Sequence, residues 1–192
     1  MRLTSFVLAG VMALAGFAAT SASAYELDIL TGKPLTVSAE ARAAVTPIPR
    51  EEISYTGRGA PGSILINTSE RRLYYILGNG KAVRYGIGVG RPGFEWAGTN
   101  RISRKAEWPE WTPPPQMLKR RPDLPRHMKG GEDNPLGARA MYLGSTLFRI
   151  HGSNEPETIG QAVSSGCIRM TNEDVIDLYE RAKVGTMVTV VR

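Results

Sequence analysis

Two residues in this 192-residue chain have the types and spacing for covalent chemistry: Cys167, the only cysteine, and His151, one of two histidines, 167 − 151 = 16 positions apart. A thiol becomes a nucleophile as its thiolate, and imidazole is the side chain best able to move that proton near neutral pH. Both adjoin glycine, in Ile150-His151-Gly152 and in Ser164-Ser165-Gly166-Cys167-Ile168-Arg169. Gly166, with Ser165 in the same turn, lets backbone N–H groups approach a substrate carbonyl as an oxyanion hole. A backbone carbonyl near Gly152 can orient the imidazole in place of a carboxylate. The competing reading makes Cys167 a small buried apolar residue.

Such a pair works only if other elements hold it. The apolar run ending at Ile150 reads as a strand over residues 146–150 that delivers His151 at its end, after a strand over 138–143. Behind Cys167, Asn172 is expected to cap a helix whose first turn holds Glu173 and Asp174. Val175, Leu178, Tyr179 and Ala182 make its apolar face, Gly185 is expected to end it, and a last strand covers 186–191. Upstream, residues 63–67, 72–77 and 82–89 alternate with turn residues and predict consecutive antiparallel strands. Residues 90–131 hold Pro109, Pro113, Pro114, Pro115, Pro122 and Pro125, predicting a long ordered loop with at most a short helix over 116–120. Trp96, Trp108 and Trp111 lie in it, as a substrate wall or as pins to the core. His127 lies there too and reads as a solvated loop residue.

The run His151-Gly152, a spacer, then Ser164-Ser165-Gly166-Cys167-Ile168-Arg169-Met170 with Asn172 and Asp174 resembles the signature of the L,D-transpeptidase (YkuD-type) catalytic domain of bacterial cell-wall enzymes. Asn134 to Leu143 and the strands at Ile64–Asn67 and Leu73–Leu77 are similar too, so the resemblance covers roughly residues 62–191. Many relatives carry histidine where this chain has Ser165, which leaves His151 as the general base. The resemblance implies a β-rich α+β fold of β-sandwich or mixed-sheet type, with Cys167 as nucleophile. It implies peptidoglycan tetrapeptide stems as donors, cut between diaminopimelate and D-alanine. The acyl group would pass to a second stem, giving a 3-3 crosslink, or to an outer-membrane protein. It further implies acylation of Cys167 by carbapenems, and no metal or cofactor. Arg169 is expected to meet a substrate carboxylate or to brace the loop, and Tyr142 to line the donor pocket or the core. A hydrolytic relative, trimming stems or releasing wall proteins, is the enzymatic alternative. A wall-binding protein with an unreactive Cys167 is the non-catalytic one.

The start of the chain agrees with an exported role. Arg2 precedes an apolar run over residues 6–19 and a small-residue Ala22-Ser23-Ala24 site, so residues 1–24 read as a signal peptide, too short in its apolar part to span a membrane. Residues 25–61 read as an arm or linker, with a short helix over 38–45, and 62–192 as the catalytic domain, placed in the periplasm of a Gram-negative cell. Cleavage removes one cation and leaves 24 − 1 = 23 basic and 18 acidic residues, a net +5. That balance suits acidic wall polymers or headgroups, or is simply a solvated surface; no nucleic-acid motif accompanies it.

Overall fold

The computed structural model describes residues 48–192. The expected signal peptide, the helix over 38–45 and the arm up to residue 47 lie outside the described residues.

The expected meander forms, with β2 (Ile64–Asn67), β3 (Arg72–Gly78) and β4 (Lys81–Gly86) pairing antiparallel in sequence order, but the third strand, expected through residue 89, stops at Gly86 and Val89 belongs to a separate ribbon. Alternation drives them, since Ile64 and Ile66 are buried while Leu65 and Asn67 are half-buried. Left-handed Asn79 and Gly80 make the β3–β4 turn, a conformation asparagine and glycine adopt most readily. The sheet also begins earlier than expected. Strand β1 (Glu51–Ser54), inside the segment read as a linker, pairs with β4 as an edge strand. Its charged, largely exposed residues gave no apolar signal.

A larger difference lies between residues 90 and 131. The expected long loop contains the ten-residue strand β6 (Gly98–Glu107). The prolines crowd only after residue 108, whereas 98–107 has none; the strand was missed because Ile102 is its one fully buried residue. The rest of the segment is loop, with the short helix α1 (Pro115–Arg120) where expected.

β6 is the hinge of the architecture. Its first half, Gly98–Arg101, pairs with β11 (Met187–Val191), and Ile102–Glu107 pairs with β7 (Arg139–Leu143) across a register shift. A bulge bends a strand and raises its twist, so β6 carries the sheet round on itself. The result is a nine-stranded mixed sheet ordered β1-β4-β3-β2-β11-β6-β7-β8-β10, where β8 is Arg149–His151 and β10 is Ile168–Arg169. β5 (Val89–Gly90) and β9 (Ala162–Ser164) form a separate two-stranded ribbon.

The helix α2 (Asn172–Arg181) packs on β7. Of its predicted face, Val175 and Leu178 are fully buried, each contributing roughly 2 kcal/mol, Ala182 is buried just past the helix end, and Tyr179 is half-buried against the core. Its ends differ from expectation. Thr171, not Asn172, is the N-cap, its hydroxyl accepting the Asp174 N–H at 3.1 Å. The helix stops at Arg181, with Ala182 extended and the left-handed Gly185 (φ +92°) four residues beyond, in the turn before β11. Among the described residues no helix is long and apolar enough to cross a membrane.

Candidate active site

His151 and Cys167 are brought to neighbouring segments because β8 and β10 run parallel and adjacent, with Cys167 immediately before β10. Ile168 pairs with Ile150 and Arg169 with His151. In that register Arg149 and His151 share a face of β8, and Arg169 lies on the same face of β10. Continuing back to Cys167 brings its Sγ beside Arg149, whose Nη1 lies 4.0 Å away. The strand is shorter than expected: residues 146–148 belong to a turn closed by Thr146, whose hydroxyl donates to the Leu143 carbonyl at 2.6 Å.

His151 is 4% exposed. Its Nδ1 lies 2.5 Å from the carbonyl oxygen of Gly152. A carbonyl only accepts, so Nδ1 must carry the hydrogen and Nε2 keeps its lone pair. Burial, then the nearby Arg169 charge, pushes His151 down to about 3; the Gly152 bond opposes this and Arg149 adds to it. At neutral pH the ring is uncharged, the state a proton acceptor needs.

Gly152 in turn is clamped. Asn172 Oδ1 accepts the Ala138 N–H at 2.8 Å and fills the space a Cβ would need on both Gly137 and Gly152 (2.3 Å from each). Asn172 therefore positions the imidazole's partner rather than capping the helix.

The turn before Cys167 is closed on itself. The Gly166 N–H donates to Ser164 Oγ at 3.1 Å, and Ser164 Oγ donates to the Cys167 carbonyl at 2.6 Å. The Gly166 N–H, expected to face an oxyanion, is thus engaged within the turn. The Cys167 N–H has no partner among the described residues, and it is the donor left for that task. Ser165 Oγ accepts from Arg91 Nη2 at 3.0 Å, so it ties the turn to the loop after β5.

The segment from the β2 strand to the end of β11 matches a known family. Residues 61–190 fit the model of the YkuD family, the L,D-transpeptidase catalytic domain. The chain belongs to that family. The probable L,D-transpeptidase ErfK/SrfK of Escherichia coli K12 is 40% identical over 137 residues, 67% of this chain and 43% of that protein. The chain thus spans less than half the length of that relative. A solved structure from Brucella melitensis, described as a probable carnitine operon oxidoreductase, is 42% identical with a TM-score of 0.53 and covers 80% of this chain and all of that one. An L,D-transpeptidase from Mycobacterium smegmatis, 17% identical with a TM-score of 0.56, covers 70% of this chain and 60% of its own and shows a shared fold.

Within this L,D-transpeptidase domain the remaining residues sort by their contacts. Arg169 Nη1 donates to Glu155 Oε2 at 3.0 Å in a mostly buried ion pair (side chains 17% and 15% exposed) and reaches Thr158 Oγ1 at 3.4 Å. Of the two roles open to it, bracing is the one the geometry fills. Tyr142 is not a core residue: Arg104 stacks over its ring at 3.7 Å and Arg149 lies 5.4 Å from its centroid. Trp96 stacks flat on Phe148 (4.5 Å, 3°) and its Nε1–H donates to the Gly166 carbonyl at 2.8 Å, so this tryptophan supports the turn before Cys167. Trp111 is buried and pins the loop, while Trp108 is 41% exposed. His127 is half-exposed, 3.7 Å from Glu110, and has no contact with Cys167 or His151 among the described residues.

Sequence reasoning missed Arg149, Glu155, the Trp96 tether and the Asn172 clamp. Arg149 alone left a signal, since it lies two positions before His151 on one strand and therefore shares its face. The Gly88-Val89-Gly90-Arg91-Pro92-Gly93 run has the glycine spacing of a dinucleotide loop, yet it leads from β5 to β6 rather than into a helix. It does not present the helix N-terminus on which that fingerprint depends.

Proposed function

We propose that this domain is a cysteine-dependent acyltransferase acting on peptidoglycan tetrapeptide stems in the periplasm. The observation that carries this reading is the parallel register of β8 and β10, which sets Cys167, just before β10, across from the β8 residues leading to a neutral, Nδ1-protonated His151. Family membership supports the donor chemistry.

In the first half-reaction His151 Nε2 takes the thiol proton as Sγ attacks the carbonyl between the L-centre of diaminopimelate and D-alanine. The Cys167 N–H meets the developing oxyanion. The C–N bond breaks, the proton passes from His151 to the leaving amine, and a thioester remains on Cys167. In the second half-reaction an amine from another stem, or from an outer-membrane protein, attacks the thioester and gives its proton to His151. An amide forms, the C–S bond breaks, and the proton returns to sulfur. Water in place of the amine would make the domain a carboxypeptidase.

Mass spectrometry of muropeptides after incubation with disaccharide-tetrapeptide tests the reading. Crosslinked dimers and free D-alanine from wild type, and neither from Cys167→Ala nor His151→Ala, are expected. Trimmed monomers alone would assign the hydrolytic reaction; no product from any form would overturn the stem-peptide donor. A carbapenem should add to wild type and not to Cys167→Ala by intact mass.

A further inference from the structure

Beside the nucleophile stands a guanidinium with no anion to hold. Arg149 Nη1 is 4.0 Å from Cys167 Sγ, and its Nε is buried without a hydrogen-bond partner. Tyr142, the register partner of Arg149 on β7, has its ring centroid 5.4 Å from the Arg149 guanidinium and 3.7 Å from that of Arg104. Neither arginine forms an ion pair among the described residues. Their neighbours do: Arg169 is neutralised by Glu155 and Arg139 by Glu107. A buried guanidinium N–H with no acceptor carries a desolvation cost that a ligand can relieve.

We propose that Arg149, steadied by Tyr142, binds the terminal carboxylate of the leaving D-amino acid and thereby selects donors that end in a free carboxylate. The proposal rests on the acyl-transfer reading above and names what that site recognises. In such a donor the carboxyl carbon is three bonds from the scissile carbonyl carbon, roughly 3–4 Å away. Sulfur attacks that carbonyl from about 3–3.5 Å. A guanidinium 4.0 Å from Sγ is therefore within reach of the carboxylate when the carbonyl is in place. Arginine's planar fork suits a carboxylate better than a point charge does. Arg169, the other guanidinium on this face, is already occupied by Glu155.

Two alkylating reagents separate this role from a simple effect on sulfur charge. Iodoacetate carries a carboxylate next to the attacked carbon, and iodoacetamide carries a neutral amide there. Both depend equally on the thiolate, so the ratio of their rates at Cys167 reports on the subsite. The ratio of iodoacetate to iodoacetamide should be at least about tenfold higher in wild type than in R149Q, with R149K between them. An unchanged ratio, including an equal slowing by both reagents, overturns the proposal. Thermal melts check that each variant folds, and R149K supplies the comparison if R149Q does not.

Turnover then tests the biological donor, comparing tetrapeptide with its C-terminal amide. Wild type should prefer the free acid by about tenfold or more, and the two rates should converge in R149Q. Equal wild-type turnover of both donors overturns the proposal and leaves the transpeptidase reading standing. Turnover of neither overturns the donor reading, and the alkylation ratio still decides whether Arg149 is an anion site.

Discussion

The indole Nε1–H of Trp96 donates to the carbonyl oxygen of Gly166 at 2.8 Å, joining residues 70 positions apart and fixing the turn that precedes Cys167. The indole also lies flat on Phe148, so one side chain holds the turn by a hydrogen bond and the strand approach by stacking. Trp96→Phe keeps the ring contact and removes the donor. It should cost about 1 kcal/mol in urea denaturation and change the alkylation rate of Cys167. Trp96→Ala loses both contacts and should cost about 3 kcal/mol or more. Equal stability of the two variants would show that the bond and the stack contribute nothing separable.

Gly166 itself permits no side chain. Its φ is +102°, and a Cβ there would lie 2.6 Å from Phe148 Cε1. Gly166→Ala should therefore lose about 1–3 kcal/mol of stability. Phe148→Ala in the same chain relieves the clash but not the dihedral, so the double variant should show coupling in a mutant cycle.

Glu155 neutralises the arginine that faces His151. Replacing it with alanine leaves the Arg169 charge unpaired in a largely buried position, expected to cost about 3 kcal/mol or more by chemical denaturation. Glu155→Gln keeps an acceptor and should lose less. A loss below about 0.5 kcal/mol for Glu155→Ala would mark the pair as an exposed one in practice.

His151 gives stability a pH dependence whose sign is fixed. The folded protein holds the ring neutral down to about 3, whereas the unfolded chain protonates it near the ordinary value of about 6.5. Between those values the unfolded state binds the extra proton, so stability falls as pH drops from about 6.5 toward 3. Urea midpoints measured from pH 7.5 to 4 should decline, and His151→Gln should flatten the part of that decline due to this ring. Identical profiles for the two proteins would mean that His151 titrates normally.

The sequence by itself determined the family and singled out Cys167 and His151 as the candidate pair. A lone cysteine, a histidine and their glycines are types, and types survive without coordinates. It also determined the meander β2–β4 and the buried face of α2, because alternation and helical period are local signals that burial enforces. Tertiary structure decided what those residues touch. β6 escaped notice because it turns a largely polar pair of faces outward, and a strand that buries one large apolar residue leaves no alternation to read. Asn172 looked like a cap because local rules concern helix ends, whereas its Oδ1 is claimed by Ala138, 34 positions away. Arg169 and Arg149 are the same residue type, 20 positions apart in the chain, and only the tertiary fold gives one a carboxylate partner and leaves the other beside Cys167. Such assignments depend on contacts between distant segments, which no window of sequence contains.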